Sequence, residues 1–314
     1  AVTFAGQLSI RWIEKKINEW LNKLLETEDA DYVIAVDTDS VYLSLGVLVD
    51  KTVRNKYTKT EDIINYLDKV SEQKIQPFIN NAYQQLADYI NAYAPAMRMK
   101  REAICDKAIW TAKKRYILNV WNNEGVAYKT PQIKVSGLEV KKSSTPSACR
   151  AKLTKAIELI MNTDEQTVID FIEEFREEFP SFPLAEIAFP RGVNNLEKYA
   201  REGSKVFGEK TPIHVRGALI YNNIIKQKKL YKTYPYIKSG EKIHFIYLKE
   251  PNQYQSNIIS FHNIMPKELA TEDIIDYNEQ FEKSFVKPLK IILDAIQWKS
   301  KKTNTLTRFL KRGN

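Results

Sequence analysis

The sequence predicts an α+β fold, in which short antiparallel strands are combined with amphipathic helices. Apolar residues recur every three or four positions between residues 7 and 26, which is typical of an amphipathic helix. Runs of β-branched and aromatic residues flank the polar segment 37–40, a pattern that indicates strand, tight turn and strand. After Ser144 the patterns become mainly helical, so we divide the chain into predicted domains 1–137 and 138–314.

The remaining helices and strands are predicted from the same helical and strand patterns. In the first domain the expected strands are 32–36, 41–45 and 116–121, the last leading into a hairpin turn at 122–125. The expected helices of that domain are 7–26, 61–70 with Thr60 as its N-cap, and 77–93. The second domain is expected to hold helices at 147–161, around 168–175 and at 272–298, an irregular region at 180–217, a sheet-like patch at 242–250, and a flexible basic tail at 299–314.

Composition and charge narrow the class of protein. The chain has 314 residues, 43% of them apolar, with a net charge of +9 and a pI near 9.2. A basic balance favours polyanionic partners, above all nucleic acid. The apolar runs are much shorter than the roughly 20 residues of a membrane span, so we expect no membrane partner. Cys105 and Cys149 lack metal-ligand spacing and are expected to be buried or free thiols in a reducing compartment.

Asp37 and Asp39 are the candidates for metal binding. Aspartates at i and i+2 face the same side of an extended chain, and both lie at the predicted tip of a hairpin. Carboxylates so placed suit Mg²⁺, which prefers oxygen ligands and keeps waters that substrate phosphates displace. Two metals about 3.5–4 Å apart stabilise the attacking and leaving oxygens in phosphoryl transfer. The same residues are also ordinary turn formers, and the pattern alone does not separate the two interpretations.

A second enzymatic interpretation is open at the same residues. An apolar strand followed by Asp-x-Asp-x-Val, as in VIAVDTDSV at 33–41, also resembles the opening motif of haloacid-dehalogenase-like phosphohydrolases. In that family the first Asp is a nucleophile and the second an acid/base. Against this interpretation, the residues after Val41 continue as an alternating strand instead of breaking into a Gly-rich turn.

Two basic segments are candidates for contact with nucleic acid. Residues 113–116, Lys-Lys-Arg-Tyr, place three cations and an aromatic ring at the entrance of a strand, a set that holds phosphates and stacks on a sugar or base. Residues 134–146 combine clustered lysines, the backbone-permissive Gly137 and hydroxyls before a predicted helix, as in a phosphate cradle. Taken singly, residues 113–116 are better explained as a solvated charge run, and residues 134–146 alone are a weak signal.

The order of these motifs resembles the family B DNA polymerases of large tailed bacteriophages. The Asp-Thr-Asp-Ser hairpin at 37–40 resembles palm motif C, although Ala35-Val36 stand where the family commonly has Tyr-Gly. Residues 113–116 resemble the motif that holds the primer near its 3′ end, and 134–146 resemble the palm-to-thumb junction. Further matches are Met-Lys-Arg-Glu-Ala at 99–103 and, as a thumb loop near the duplex, 213–217 with Tyr221 and Asn222.

The resemblance implies a fold and a set of site residues. Residues 1–137 would be the C-terminal part of a polymerase palm, an antiparallel sheet with flanking helices, and 138–314 a mainly helical thumb with a small β-rich tip. Asp39 would bind metal directly with Asp37 in support, both catalytic, and Glu102 would be a further metal-site carboxylate. The residues implied to bind DNA are Lys113, Lys114, Arg115, Tyr116, Lys134, Gly137, Lys142, Ser143, Ser144, Thr145, His214 and Arg216. The residues implied to dock on a sliding clamp are Leu306, Phe309 and Leu310.

The resemblance also implies what else the reaction needs. Two-metal nucleotidyl transfer would use Mg²⁺ and a motif-A aspartate that we do not find in this chain. That aspartate, the fingers and the exonuclease would come from a separate N-terminal chain or from the rest of a longer one, so we expect this chain to be inactive alone. Its partners would be primer–template DNA, dNTP and this N-terminal portion, in the cytoplasm of an infected bacterial host. A non-catalytic DNA-binding and clamp-tethering subunit is the alternative.

Overall fold

A computed structural model of the chain describes residues 2–94, 97–201, 203 and 206–302. The chain divides into two compact units, 1–136 and 137–314, which we call the first unit and the second unit. Both contain helices and antiparallel sheets, which confirms the predicted α+β class. No helix within the ranges just given is long and apolar enough to cross a membrane.

In the described part of the first unit there are four α-helices: α1 (Val2–Leu25), α2 (Gly46–Thr52), α3 (Thr60–Val70) and α4 (Gln76–Tyr89). In α1 the residues Ile13, Ile17 and Leu21 recur at four-residue spacing and are fully buried, so one face of the helix enters the core. A π-helical segment, Ser71–Ile75, joins α3 to α4 without a break. The two helices and this segment therefore form one long rod.

The described residues of the first unit also form two antiparallel sheets. One pairs β1 (Val33–Asp37) with β2 (Ser40–Leu43), and the other has the order β3 (Ala103–Ala112), β4 (Arg115–Asn123), β5 (Val126–Ser136). Helix α1 packs against α4 and β1. The indole of Trp20 stacks on Phe78 with ring centroids 4.5 Å apart, which fixes α1 on α4.

The second unit is mainly helical. Its α-helices are α5 (Ser147–Asn162), α6 (Glu165–Glu178), α7 (Leu184–Ile187), α8 (Leu196–Tyr199), α9 (Ile213–Gln227), α10 (Tyr277–Phe281) and α11 (Lys287–Ala295). Short 3₁₀ turns lie at Glu139–Lys141, Phe179–Ser181, Lys267–Leu269 and Glu272–Ile274. A π-helical segment, Glu282–Val286, joins α10 to α11.

Aromatic rings fill the core between these helices. Phe175 lies at the centre, with its ring centroid 4.8 Å from that of Phe285, 5.4 Å from that of Phe281 and 5.5 Å from that of Phe179. All four side chains are essentially inaccessible to solvent. Edge-to-face and tilted contacts of this kind add to the free energy gained by burial.

A three-stranded sheet lies beside α9 in the second unit. Its order is β6 (Phe189–Gly192), β7 (Lys242–Tyr247), β8 (Ile258–Phe261), and α9 packs on β8. Helix and strand approach each other closely at Gly217, where a Cβ atom would lie 2.4 Å from the Ser260 Oγ and 2.8 Å from the Ser260 backbone N. Helix and strand therefore meet at a distance that only glycine permits.

Two predictions are wrong at places where helices begin: the loop at 213–217 and the N-cap at Thr60. Residues 213–217 form the first turns of α9 instead of a loop, because the Pro212 carbonyl accepts a hydrogen bond from the Arg216 N–H at 2.9 Å and so begins the helical ladder. Thr60 is the first helical residue of α3 and not its N-cap, which is Lys59, without a side-chain hydrogen bond.

The predicted helix 272–298 also starts later than expected. Residues Glu272–Ile274 form a separate 3₁₀ turn, and the helical rod runs from Tyr277 to Ala295. The cause is Asp276, whose carboxylate accepts a hydrogen bond from the Glu279 backbone N–H at 2.9 Å and so caps the helix at that point.

Candidate active site and nucleic-acid interface

The tip of the β1–β2 hairpin is a two-residue turn, Thr38–Asp39, shorter than the predicted 37–40. Asp37 is the last residue of β1 and pairs with Ser40, so strand pairing continues to the edge of the turn. Thr38 has a φ of 44°, and the Asp39 N–H donates to the Asp37 carbonyl at 2.5 Å. The hydroxyl of Thr38 donates to the Asp37 carboxylate at 3.1 Å. Asp37 is thus held at the strand end, half-buried, while Asp39 is exposed.

A second hairpin tip lies against the first. Lys113 and Lys114 form the turn between β3 and β4, and Lys114 adopts a φ of 64°. The Lys114 Nζ lies 3.4 Å from the Asp37 Oδ1. The Lys114 side chain is 65% exposed and that of Asp37 29%, so the ion pair is screened by solvent and contributes little to stability. Its significance is positional, because it joins two motifs that are far apart in the sequence.

Three aromatic rings hold the two hairpins together. The ring of Tyr42, on β2, lies 5.3 Å from that of Trp110 and 5.5 Å from that of Tyr116, measured between centroids. Trp110 and Tyr116 are direct partners across β3 and β4. Burial, followed by a hydrogen bond with Tyr116, raises the pKa of Tyr42 well above its ordinary value, so this hydroxyl stays protonated.

Our sequence reasoning missed two members of this aromatic cluster. It selected Tyr116 for its neighbouring cations, but not Tyr42 or Trp110. A regular two-residue turn at 113–114 would pair position 111, not 110, with position 116. A register shift between Trp110 and Ala112 brings Trp110 opposite Tyr116, and no sequence pattern indicated that shift. The contact with Tyr42 is tertiary and had no signal in the sequence.

Glu102 is engaged by a lysine. It directly precedes β3, and its Oε1 lies 2.5 Å from the Nζ of Lys134 on β5. This hydrogen bond raises the pKa of the Lys134 ammonium, which remains charged. The charge of Glu102 also contributes to the raised pKa of Tyr42, so the carboxylate lies within electrostatic reach of β2.

The carboxylates fit a metal in part. Within the described ranges, no group of three or more His, Cys, Asp or Glu side chains is arranged to hold a metal ion. Glu102 therefore does not complete a three-carboxylate site with Asp37 and Asp39 in this structure. Two carboxylates on one hairpin tip are nevertheless a donor set that Mg²⁺ uses, because that ion takes one or two carboxylates and fills its shell with water and substrate phosphates.

The segment from Gly137 to Thr145 is a compact turn at the start of the second unit. Gly137 has a φ of 66°, a conformation that favours glycine. The Lys142 Nζ lies 2.6 Å from Glu139 Oε1, and the Thr145 hydroxyl donates to the Glu139 carbonyl at 2.9 Å. Thr145 is buried, whereas Ser143 is exposed and Ser144 half-buried. Lys142 and Ser143 are thus the members of this set with side chains open to a ligand.

His214 and Arg216 lie in the first turns of α9. The Arg216 guanidinium donates to Asn257 Oδ1 at 2.6 Å and lies 5.7 Å from the ring centroid of Phe207. Burial lowers the pKa of His214, helped by the charge of Arg191, so its imidazole is neutral at pH 7. Both side chains are half-buried and already make contacts within the second unit.

The three clamp-binding candidates, Leu306, Phe309 and Leu310, lie outside the described residues.

Comparisons with known proteins agree with the predicted resemblance. No protein-family model matches the chain. The chain is 34% identical to the DNA-directed DNA polymerase of Enterobacteria phage T4 over 301 residues, which are 92% of this chain and 33% of that protein. It is also 34% identical to the DNA-directed DNA polymerase of Escherichia phage RB69 over 302 residues, again 92% of this chain and 33% of that protein. The chain thus spans about a third of the length of these relatives. The predicted resemblance is confirmed: over nearly all its length this chain is homologous to the C-terminal third of phage DNA-directed DNA polymerases.

Proposed function

We propose that the chain is the C-terminal portion of a template-directed DNA polymerase, with 1–137 as part of the palm and 138–314 as the thumb. The observation that carries the proposal is the contact between Lys114 and Asp37, with Nζ 3.4 Å from Oδ1. A polymerase must bring the primer 3′ end to its metal-binding carboxylates, so the residues that hold the primer need to lie beside them. The resemblance assigns these two roles to the same two hairpins.

The chemistry of the site follows from charge. Asp37 and Asp39 would hold Mg²⁺, which when bound would neutralise and polarise the phosphoryl oxygens. The exposed cations Lys113, Lys114 and Arg115 would neutralise backbone phosphates, and Tyr116 would contact a sugar or base. When a phosphate engages Lys114, Asp37 loses its cationic partner at the moment that the reaction needs the carboxylate.

The proposal requires partners. Besides primer–template DNA and dNTP, the site needs a further carboxylate, the motif-A aspartate, and the cations of the fingers, which would come from an N-terminal polymerase portion. The DNA grip would extend to Lys134, Lys142 and Ser143, whose side chains are exposed. The C-terminal residues would dock on a sliding clamp. The protein would act in the cytoplasm of an infected bacterium.

Primer extension tests the proposal. The chain would be assayed with Mg²⁺ and dNTPs, alone and together with a polymerase fragment that carries the exonuclease, motif A and fingers. We expect extension only when both are present. Asp39→Asn should abolish it, because the neutral amide keeps the shape of the side chain and loses the charge, while the affinity for primed duplex should stay within about twofold, since no phosphate contact is removed.

A matched control is Asp29→Asn, an exposed loop aspartate with a φ of 54°, which should leave extension unchanged. Extension by the Asp39→Asn pair at the wild-type rate would contradict the catalytic role.

A non-catalytic DNA-binding subunit is the second candidate, and one observation favours it. The carboxylates of Asp37 and Glu102 each form an ion pair with a lysine, as carboxylates with a structural role do. This candidate predicts duplex binding by the chain without any extension in either mixture. The phosphohydrolase interpretation gains no support, because the residues after Asp39 form the antiparallel strand β2 instead of a Gly-rich turn.

A further inference from the structure

A lysine- and tyrosine-rich segment, residues 226–238, begins in the last turn of α9 and continues into the loop that follows the helix. It holds five lysines and three tyrosines and has no acidic residue. The lysines are Lys226, Lys228, Lys229, Lys232 and Lys238, and the tyrosines are Tyr231, Tyr234 and Tyr236. We call this segment the KY loop. A basic segment interleaved with aromatic rings has the composition of a nucleic-acid contact, and neither catalysis nor the DNA grip described above uses it.

The KY loop is held in a fixed shape. The side-chain amide of Asn222 donates to the Ile237 carbonyl and accepts from the Ile237 N–H, both at 2.8 Å. The Tyr221 hydroxyl donates to the Pro235 carbonyl at 3.3 Å, and the Ile237 side chain is buried. These contacts tie the C-terminal end of the loop to α9.

A second anchor lies on the other side of the loop. The Lys228 Nζ donates to the Glu268 carbonyl at 2.5 Å, and the Tyr234 hydroxyl forms a hydrogen bond with the Glu268 carboxylate. The loop is therefore preorganised before any ligand arrives, which lowers the entropy lost on binding.

Two of the tyrosines form an exposed stack. The rings of Tyr231 and Tyr236 are nearly parallel, at 20°, with centroids 6.5 Å apart. Tyr231 is 50% exposed and Tyr236 36%, although aromatic residues this large are usually buried more deeply. A rigid pair of exposed rings is a platform on which a flat aromatic ligand can stack.

The neighbouring cations are available to a ligand. In the part of the chain that the structure describes, no carboxylate forms an ion pair with Lys226, Lys229 or Lys232. Other exposed lysines of the second unit, such as Lys155 and Lys283, do have carboxylate partners, at 3.0 Å and 3.3 Å. The KY loop thus offers positive charge that the protein itself does not neutralise.

We propose that the KY loop binds single-stranded nucleic acid, with bases stacked on Tyr231 and Tyr236 and phosphates held by Lys229 and Lys232. Unpaired bases fit better than duplex, because in a duplex each base face is already covered by its neighbours, whereas a single strand leaves faces free for aromatic side chains. The inference does not depend on the proposed polymerase activity, and its test measures binding alone.

Fluorescence anisotropy of the full chain with a labelled oligo(dT) of 20 nucleotides tests the stacking. Tyr231→Ala/Tyr236→Ala should weaken binding about tenfold or more, since each stacked base contributes substantially to affinity. Tyr231→Phe/Tyr236→Phe should bind like the wild type, because the rings are kept, and Tyr231→Leu/Tyr236→Leu should bind like the alanine variant. Circular dichroism melting would establish that the variants are folded, as expected for exposed side chains.

The contribution of the lysine charges to binding is tested separately, with a matched control. Lys229→Ala/Lys232→Ala should reduce the slope of log Kd against log salt by about 1.4, because each phosphate contact on a single strand adds about 0.7. Lys155→Ala/Lys283→Ala removes the same charge from paired positions and should leave the slope unchanged. If both lysine double variants changed the slope equally, the attraction would depend only on the net charge of the chain, and the proposal would be overturned.

Two further outcomes would also overturn it. The first is an equal loss of affinity for duplex DNA in the tyrosine-to-alanine variant, which would make the loop a general phosphate-binding face. The second comes from photo-crosslinking to a 5-bromodeoxyuridine oligonucleotide followed by mass spectrometry. Cross-links in residues 230–238 support the proposal, and cross-links confined to other segments such as 113–116 contradict it.

Discussion

Gly217→Ala should destabilise the second unit, even though alanine is the better helix former. The residue lies in the fifth position of α9, well inside the helix. Its added Cβ would lie 2.4 Å from the Ser260 Oγ, 2.8 Å from the Ser260 N and 3.1 Å from the Ile259 carbonyl carbon. Two of these three atoms belong to the backbone of β8, which is paired with β7 and cannot move by itself.

The change in the free energy of unfolding caused by Gly217→Ala is the sum of opposing contributions. Replacing glycine by alanine in a helix interior gains about 1 kcal/mol of helix propensity. Forcing one extra carbon into a packed core costs about 1–3 kcal/mol, and the backbone contacts place this site at the upper end. The Ser260 hydroxyl, which donates to the His214 carbonyl at 2.9 Å, must also move, at a cost of about 1 kcal/mol. The expected net loss in the free energy of unfolding is therefore about 2–3 kcal/mol, the sum of the last two less the first.

Urea unfolding followed by circular dichroism measures this loss. Gly6→Ala is the matched control, because Gly6 lies in α1 and a Cβ there would have no atom within 4 Å. That variant should be more stable than the wild type by about 0.5–1 kcal/mol. Adding Ser260→Ala to Gly217→Ala should recover part of the loss, since the nearest obstructing atom is removed. A Gly217→Ala variant as stable as the wild type would refute the close approach of α9 and β8.

Three further predictions concern the second unit and the thiols. Asn222→Ala should lower the free energy of unfolding by about 1–3 kcal/mol, because it leaves both backbone groups of Ile237 without their partner; thermal melting checks this, and an unchanged midpoint would contradict the anchoring role. Burial raises the pKa of Cys149 to about 12 and that of Cys105 to about 11, so both should react slowly with iodoacetamide at pH 8 until urea unfolds the chain. The unfolded Cys149 thiol has an ordinary pKa of 9.0 and loses its proton above pH 9, whereas the folded thiol keeps its proton up to about pH 12. The contribution of this thiol to the free energy of unfolding is therefore complete below pH 9 and is lost towards pH 12. Stability measured across that range should fall less steeply in Cys149→Ala, and an identical slope would remove Cys149 as a cause.

The elements that sequence reasoning found are those with a clean periodicity. The apolar spacing of α1 predicted 7–26, and the helix is Val2–Leu25. The hairpin around Asp37 was visible because apolar strands flank a short polar turn. The order of motifs was also enough to identify the related polymerases.

Helix α9 shows why the rest was not accessible. Eight of its fifteen residues are buried, among them Gly217, Ala218, Leu219 and Ile220 in succession. Its first residues were interpreted as a loop because the resemblance suggested a thumb loop at 213–217 and because the Pro and Gly residues of 180–217 indicated irregular structure. The ion pairs of the candidate site depend on long-range contacts, and local patterns carry no information on them.

The two π-helical segments have a consequence for the spacing of core residues. Buried residues repeat at intervals of four through Leu67, Ser71, Ile75 and Ile79, and again through Phe281, Phe285, Leu289 and Leu293. In an α-helix each step of four residues turns through about 400°, so three steps would rotate the apolar stripe by about 120° away from the core. The wider π turn absorbs this excess rotation and keeps every fourth side chain pointing inward. Each rod thus contains one residue more than a regular α-helix would need to bury the same set of side chains. That extra residue sets the rotation of the second α-helix of the rod relative to the first.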